Sequence, residues 1–153
     1  MYQLHPVIVH LVIAVLSIAI TVDFLYLFTK KQRFWKLASI LLLIGTGMSI
    51  IAVLSGQSAY DLAIIPEGVK SLVRHHRSSG KMTMWLFLVV ITIRFLFHYL
   101  EWFSNRVKWF YYLLLAVALF YLFRTGIMGG EMVYIHGVGV KKAQPTYTKP
   151  SFE

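Results

Sequence analysis

The sequence predicts an all-α integral membrane protein, a bundle of four spanning helices with both termini on the same side. Three observations predict it. Its 153 residues are 58% hydrophobic and 16% aromatic but only 14% charged, too apolar a balance for a soluble domain of this length. Four apolar runs approach the roughly 20 residues that a helix needs to cross hydrocarbon. The connections between those runs are short, polar and basic, which leaves no length for a second soluble domain. Residues 1–142 are therefore expected to form one transmembrane domain, and 143–153 an irregular tail.

The first span is expected from Pro6 to Phe28, with proline where its missing N–H costs nothing and the cations Lys30, Lys31 and Arg33 just past its end. The second, Leu37 to Leu54, contains no ionisable residue. The third, Met82 to Tyr99, holds Arg94 near its far end, where a long side chain can snorkel to the headgroups. The fourth, Trp109 to Met128, opens on the interfacial aromatics Trp109, Tyr111 and Tyr112. Ser55 to Lys81 is the longest connection, and an interfacial helix is expected in it from Glu67. Asp23 is expected to be an interfacial carboxylate near Lys30 and Lys31.

The net charge of +9 is distributed around the apolar runs, so it fits membrane flanking and not nucleic acid. The short connections are the denser in cations, which favours placing them in the cytoplasm of a bacterium or archaeon, with the longer loop outward. The N-terminus lacks a basic region, and its first apolar run exceeds a signal-peptide core, so it is read as a retained span. Cysteine is absent, which excludes disulfides, iron–sulfur clusters and covalently attached haem. No nucleophile–base set, phosphate-binding loop, dinucleotide fingerprint or HExxH occurs, so hydrolase chemistry has no residues to use.

Histidine is the informative residue. His5, His10, His75, His76 and His136 fall at span ends on one side of the membrane, and His98 falls on the other. Imidazole inside lipid is costly and is a good iron or zinc ligand, so the clustering points to bound metal or haem. Helices in lipid associate through small and polar faces. His10, Ala14, Ser17 and Thr21 share one face of the first span, and Gly45, Ser49, Ala52 and Gly56 share one of the second. His76, Gly80, Thr83 and Phe87 repeat the spacing in the third, and Gly126 and Gly130 lie with Phe123 in the fourth.

His10 and His76 thus head faces expected to turn inward, and they are the expected pair of axial ligands. His5 and His136 form a conditional second pair. Gly56, Gly80, Gly126, Gly129 and Gly130 would leave room for a planar ring, and Arg74 and Arg77 could pair with its carboxylates. The competing readings are plain. His10 would only hydrogen-bond a neighbouring helix, His5 would cap the first one, His76 would face solvent, and His136 would sit in a turn.

The opening His5-Pro6-Val7-Ile8-Val9-His10, the segment His76-Arg77-Ser78-Ser79-Gly80 and the closing Gly129-Gly130-Glu131-Met132-Val133-Tyr134-Ile135-His136-Gly137-Val138-Gly139-Val140 together resemble one family over nearly the whole chain. It is the predicted four-helix membrane family catalogued as domain of unknown function 2231. The resemblance implies four transmembrane helices and histidines suggestive of haem b, in proteins that accompany cytochromes and respiratory modules. It marks His5, His10, His76 and His136 as the motif histidines. The chain departs from the family in carrying Leu11 and Val12 where aromatic and proline residues often follow the second histidine.

The function expected from these observations is a b-type cytochrome-like electron carrier with one haem or two. It would be an electron-transfer subunit more than a stand-alone enzyme. Its partners would be a quinone, a cytochrome c or a larger redox complex or oligomer. The rivals are a membrane protein that binds or transports a divalent metal without haem, and a structural or assembly subunit without cofactor.

Overall fold

A computed structural model describes residues 4–63, 65–100 and 105–139. Among them are four long α-helices and no strand: α1 (His5–Thr29), α2 (Gln32–Leu62), α3 (Lys70–Leu100) and α4 (Asn105–Tyr134). Each is long and apolar enough to cross a membrane. The tail expected after residue 142 lies outside the described residues.

The helices outrun the sequence expectation at the histidine end. Nothing in Ser55 to Leu62 breaks a helix, and α2 continues through it to an extended Ala63. Pro66 and a single 3-10 turn at Glu67–Val69 then lead into α3 at Lys70. The long loop expected from Ser55 to Lys81 is thus mostly helix. Helices α2 and α3, of 31 residues each, would extend about 46 Å, against about 30 Å of hydrocarbon. At the opposite end only Lys30 and Lys31 separate α1 from α2. Lys30 adopts the left-handed conformation (φ 55°) and donates its N–H to Tyr26 O, which stops α1. So short a link forces the two helices antiparallel.

Neighbours in sequence are neighbours in space, with α1 on α2, α2 on α3, α3 on α4 and a thinner α4–α1 seam. The core is a column of Leu16, Ala19, Leu42, Phe87, Val90, Leu115 and Ala118, while Leu43, Ile51, Trp85, Phe110 and Ile127 face outward. Gly45 lets α1 approach α2 closely: a Cβ there would stand 2.5 Å from Leu16 Cδ2. This apolar exterior is the reverse of a soluble bundle and is what lipid selects.

One buried polar knot ties all four helices together. Arg94, 2% exposed, reaches inward from α3 to Asp23 of α1, which is fully buried. Its Nη1 donates to Asp23 Oδ2 (2.8 Å) and to Tyr111 Oη of α4 (2.6 Å), and Tyr111 donates in turn to Asp23 Oδ2 (2.8 Å). From α2, Ser39 Oγ accepts from Arg94 Nε (2.8 Å) and Trp35 O from Nη2 (2.9 Å), with the guanidinium 3.7 Å from the Trp35 ring centre. The expected snorkelling Arg94 and the Asp23 capped by Lys30 or Lys31 are both corrected here. A guanidinium this near the end of a span can turn to water or inward, and a carboxylate at matching depth on a neighbouring helix makes the inward position favourable.

The side chains at the two ends of the bundle are in register. His5 to Asp23 on α1, His76 to Arg94 on α3, and Tyr111 to Gly129 on α4 are each separated by 18 residues. Eighteen residues make five helical turns, about 27 Å, and return to the same face. The histidine layer and the Arg94 layer therefore bracket a thickness close to that of hydrocarbon.

Replacing Arg94 by Leu leaves Asp23 buried and unpaired, and should cost about 3–5 kcal/mol. Titrating the protein from mild detergent into dodecyl sulfate measures it. The double variant Asp23→Asn/Arg94→Leu should recover part of the loss, because no lone charge then stays inside.

Candidate functional site

The histidine layer is assembled from both hairpins. His5 opens α1, and its Nδ1 lies 3.0 Å from Ser55 Oγ on α2. Ser55 donates its hydroxyl proton to Ala52 O (3.0 Å), so the proton shared with His5 belongs to imidazole Nδ1. On α3, His76 Nδ1 stands 3.1 Å from the carbonyl oxygen of Thr125 on α4. A carbonyl can only accept, so this Nδ1 too carries the proton. Both rings are thereby fixed in the tautomer that leaves Nε2 with a lone pair, as in metal-ligating histidine.

Each ring rests on bare backbone. A Cβ at Gly56 would stand 2.9 Å from His5 Cε1, and one at Gly129 would stand 3.2 Å from His76 Cε1. Toward the bundle interior, Thr83 and Thr125 meet at 3.2 Å between their hydroxyls, and Arg124 donates to Ser79 Oγ. Toward the other side, Arg77 donates to Gln57 Oε1 and lies 3.9 Å from the Tyr60 ring centre, while Gln57 donates to Asp61 Oδ1 (3.1 Å). These contacts lock α2 to α3 and α3 to α4 around the pair.

Of the expected pair, His76 is half-buried against α4 and His10 faces outward. His10 is exposed on the outer side of α1, with its Nδ1 2.6 Å from Pro6 O of its own helix. Ala14 and Thr21 are exposed with it and Ser17 is half-buried, so the first small-residue stripe faces outward. The buried face of α1 is Val12, Leu16, Ala19, Ile20 and Asp23. The pairing of Asp23 with Arg94 rotates α1 to this position, and five turns from Asp23 on the same face is His5. The inward stripes hold on α2, where Gly45, Ser49 and Ala52 are buried and Gly56 half-buried, and on α3, where Thr83 and Phe87 are buried below the half-buried His76 and Gly80. On α4, Gly126 packs on Ile13 of α1 while Phe123 points outward.

His136 does not join His5. It is exposed in the turn that ends α4, with Nε2 3.8 Å from Glu131 Oε1. That turn explains its glycines: Gly137 takes φ 61° and donates to Val133 O, and Val138 donates to Met132 O. His75 and Arg74 are exposed on α3, and the side chain of His98 lies outside the described residues. Gly56 cradles an imidazole directly instead of leaving room for a larger ring. Gly80 and Gly130 are half-buried without close side-chain contact across helices, apart from Thr125 Cγ2 at 3.7 Å from a Cβ at Gly80.

Two partners escape sequence reasoning. Ser55 is adjacent to Gly56 at the end of the small-residue face of α2, which is a usable signal. Thr125 contributes a backbone carbonyl, for which no residue type is a signal.

Among known families, a model described as a predicted membrane protein, DUF2231, matches residues 2–142, and the chain belongs to that family. No curated protein and no solved structure matches it.

The cradle predicts unequal responses to one added methyl group. Gly56→Ala and Gly129→Ala should each displace an imidazole and destabilise the bundle by about 1–3 kcal/mol. Gly47→Ala, where no atom lies within 4 Å of the new Cβ, should be neutral or stabilising by up to about 1 kcal/mol. Thermal unfolding in detergent ranks the three.

Proposed function

We propose that this membrane protein is a b-type cytochrome-like electron carrier that holds one haem b between α1 and α3 through His5 and His76. The observation that carries the reading is the matched state of the two imidazoles, each held through Nδ1–H with Nε2 left as a lone pair. Among the described residues no three His or carboxylate side chains gather into a cluster. Two imidazole donors suit an iron whose other four positions are porphyrin nitrogens better than a four-coordinate divalent ion. A haem held by His5 and His76 would supply one-electron exchange there.

In this reading the protein positions and insulates. Ser55 and Thr125 fix ring orientation and tautomer, and their hydrogen bonds raise the basicity of Nε2. Gly56 and Gly129 let the rings sit against the helices that hold them. Arg77, next to His76 in sequence, supplies positive charge for the propionates at the membrane edge. His10 and His136, on the outside of the described bundle, are not ligands. Placement at a membrane edge suits exchange with a quinone in the lipid or a cytochrome c in solution.

Purified protein should show a reducible b-type spectrum and one haem per chain by pyridine hemochrome. His5→Ala and His76→Ala should each abolish it while keeping native helix content by circular dichroism, and His10→Ala should retain it. Metal by elemental analysis without porphyrin absorbance, or a spectrum that persists in both His5→Ala and His76→Ala, would contradict the proposal.

A further inference from the structure

The outer face of α3 carries cations and an apolar hollow in line. Arg74 and Lys81 are exposed, seven residues apart on the side of the helix opposite its buried Ser79, Thr83 and Phe87, with exposed Ser78 between them. Neither cation has an acidic partner among the described residues. Lys70 is paired with Glu67, and Arg77 is held by Gln57 over Tyr60. One turn below Lys81 on the same face begins a concavity lined by Trp85, Leu88, Val89, Thr92 and Ile93.

Depth matches chemistry along this face. The histidine layer lies at one edge of the hydrocarbon, and Arg74 and Lys81 straddle it over about 10 Å of helix. A headgroup layer is about 5–8 Å thick, and both side chains are long enough to bring their charges into it. The Trp85–Ile93 hollow then lies at acyl-chain depth. We infer that this face is a binding site for one anionic phospholipid, with Arg74, Ser78 and Lys81 around the phosphate and an acyl chain against Trp85 and Val89. A soluble acidic partner would use the cations but could not reach the hollow, which runs into the hydrocarbon. The site is independent of any cofactor.

The test uses the full chain in phosphatidylcholine bilayers containing spin-labelled lipid, with the motionally restricted fraction compared for phosphatidylglycerol and phosphatidylcholine labels. Wild type should prefer phosphatidylglycerol. Arg74→Gln/Lys81→Gln should lose that preference by at least about fivefold, and Lys30→Gln/Lys36→Gln, at the opposite end, should change it less than about twofold. Val89→Trp, which fills the hollow and leaves the charges, should lower the restricted fraction of phosphatidylglycerol. The inference is overturned if wild type shows no preference, if both double variants lose it equally, or if Arg74→Gln/Lys81→Gln retains it. Loss of the preference on adding millimolar inorganic phosphate at constant ionic strength would assign the cations to free phosphate instead and also overturns it.

Discussion

Everything in this bundle follows from where Arg94 can go. A guanidinium inside an apolar bundle is tolerable only when its charge is paired and its donors are satisfied. Here Asp23, Tyr111, Ser39 and the Trp35 carbonyl do so from the three other helices. Each bond fixes the rotation and height of the helix that supplies it. Apolar packing in lipid has little power to do this, because an apolar helix face gains almost nothing by leaving the acyl chains. The knot therefore sets the register, and the leucines, alanines and Gly45 fill the space that register leaves.

The consequence appears five turns away. With 18 residues returning each helix to the same face, orienting Asp23 and Arg94 inward orients His5 and His76 inward as well. The same geometry puts Gly129 of α4 against His76, five turns from Tyr111. The histidine layer needs few polar contacts of its own to be precise: one hydrogen bond per ring, and a glycine behind it. Because both acceptors engage Nδ1, the two rings have Nε2 as their remaining basic atom. That shared state is a property of the scaffold, whatever occupies the site.

Much of this was legible in the amino-acid sequence, and the errors share one cause. Four spans and the inward small-residue faces of α2 and α3 are read correctly from apolar runs and periodicity. The rule that small and polar faces turn inward failed on α1, where Ala14 and Thr21 face out and Val12, Leu16 and Ile20 face in. A buried ion pair outweighs such a stripe, and Asp23 and Arg94, each taken alone, point only to the nearest interface. Opposite charges at similar depth on two spans are the stronger signal, and pairing them turns His5 and not His10 toward the bundle interior. The helical continuation of α2 to Leu62 and the Thr125 carbonyl have weaker signatures, since one depends on the lack of a breaker and the other on backbone alone.

The central claim is that the fold presents His5 and His76 as a matched pair of Nε2 donors. Nitrogen-15 spectra of the purified, histidine-labelled protein, with His5→Gln and His76→Gln for assignment, test it most directly. The account predicts a proton on Nδ1 of both rings and none on Nε2, which appears either as a lone pair or as a metal-bound nitrogen. A proton on Nε2 of either ring would contradict it.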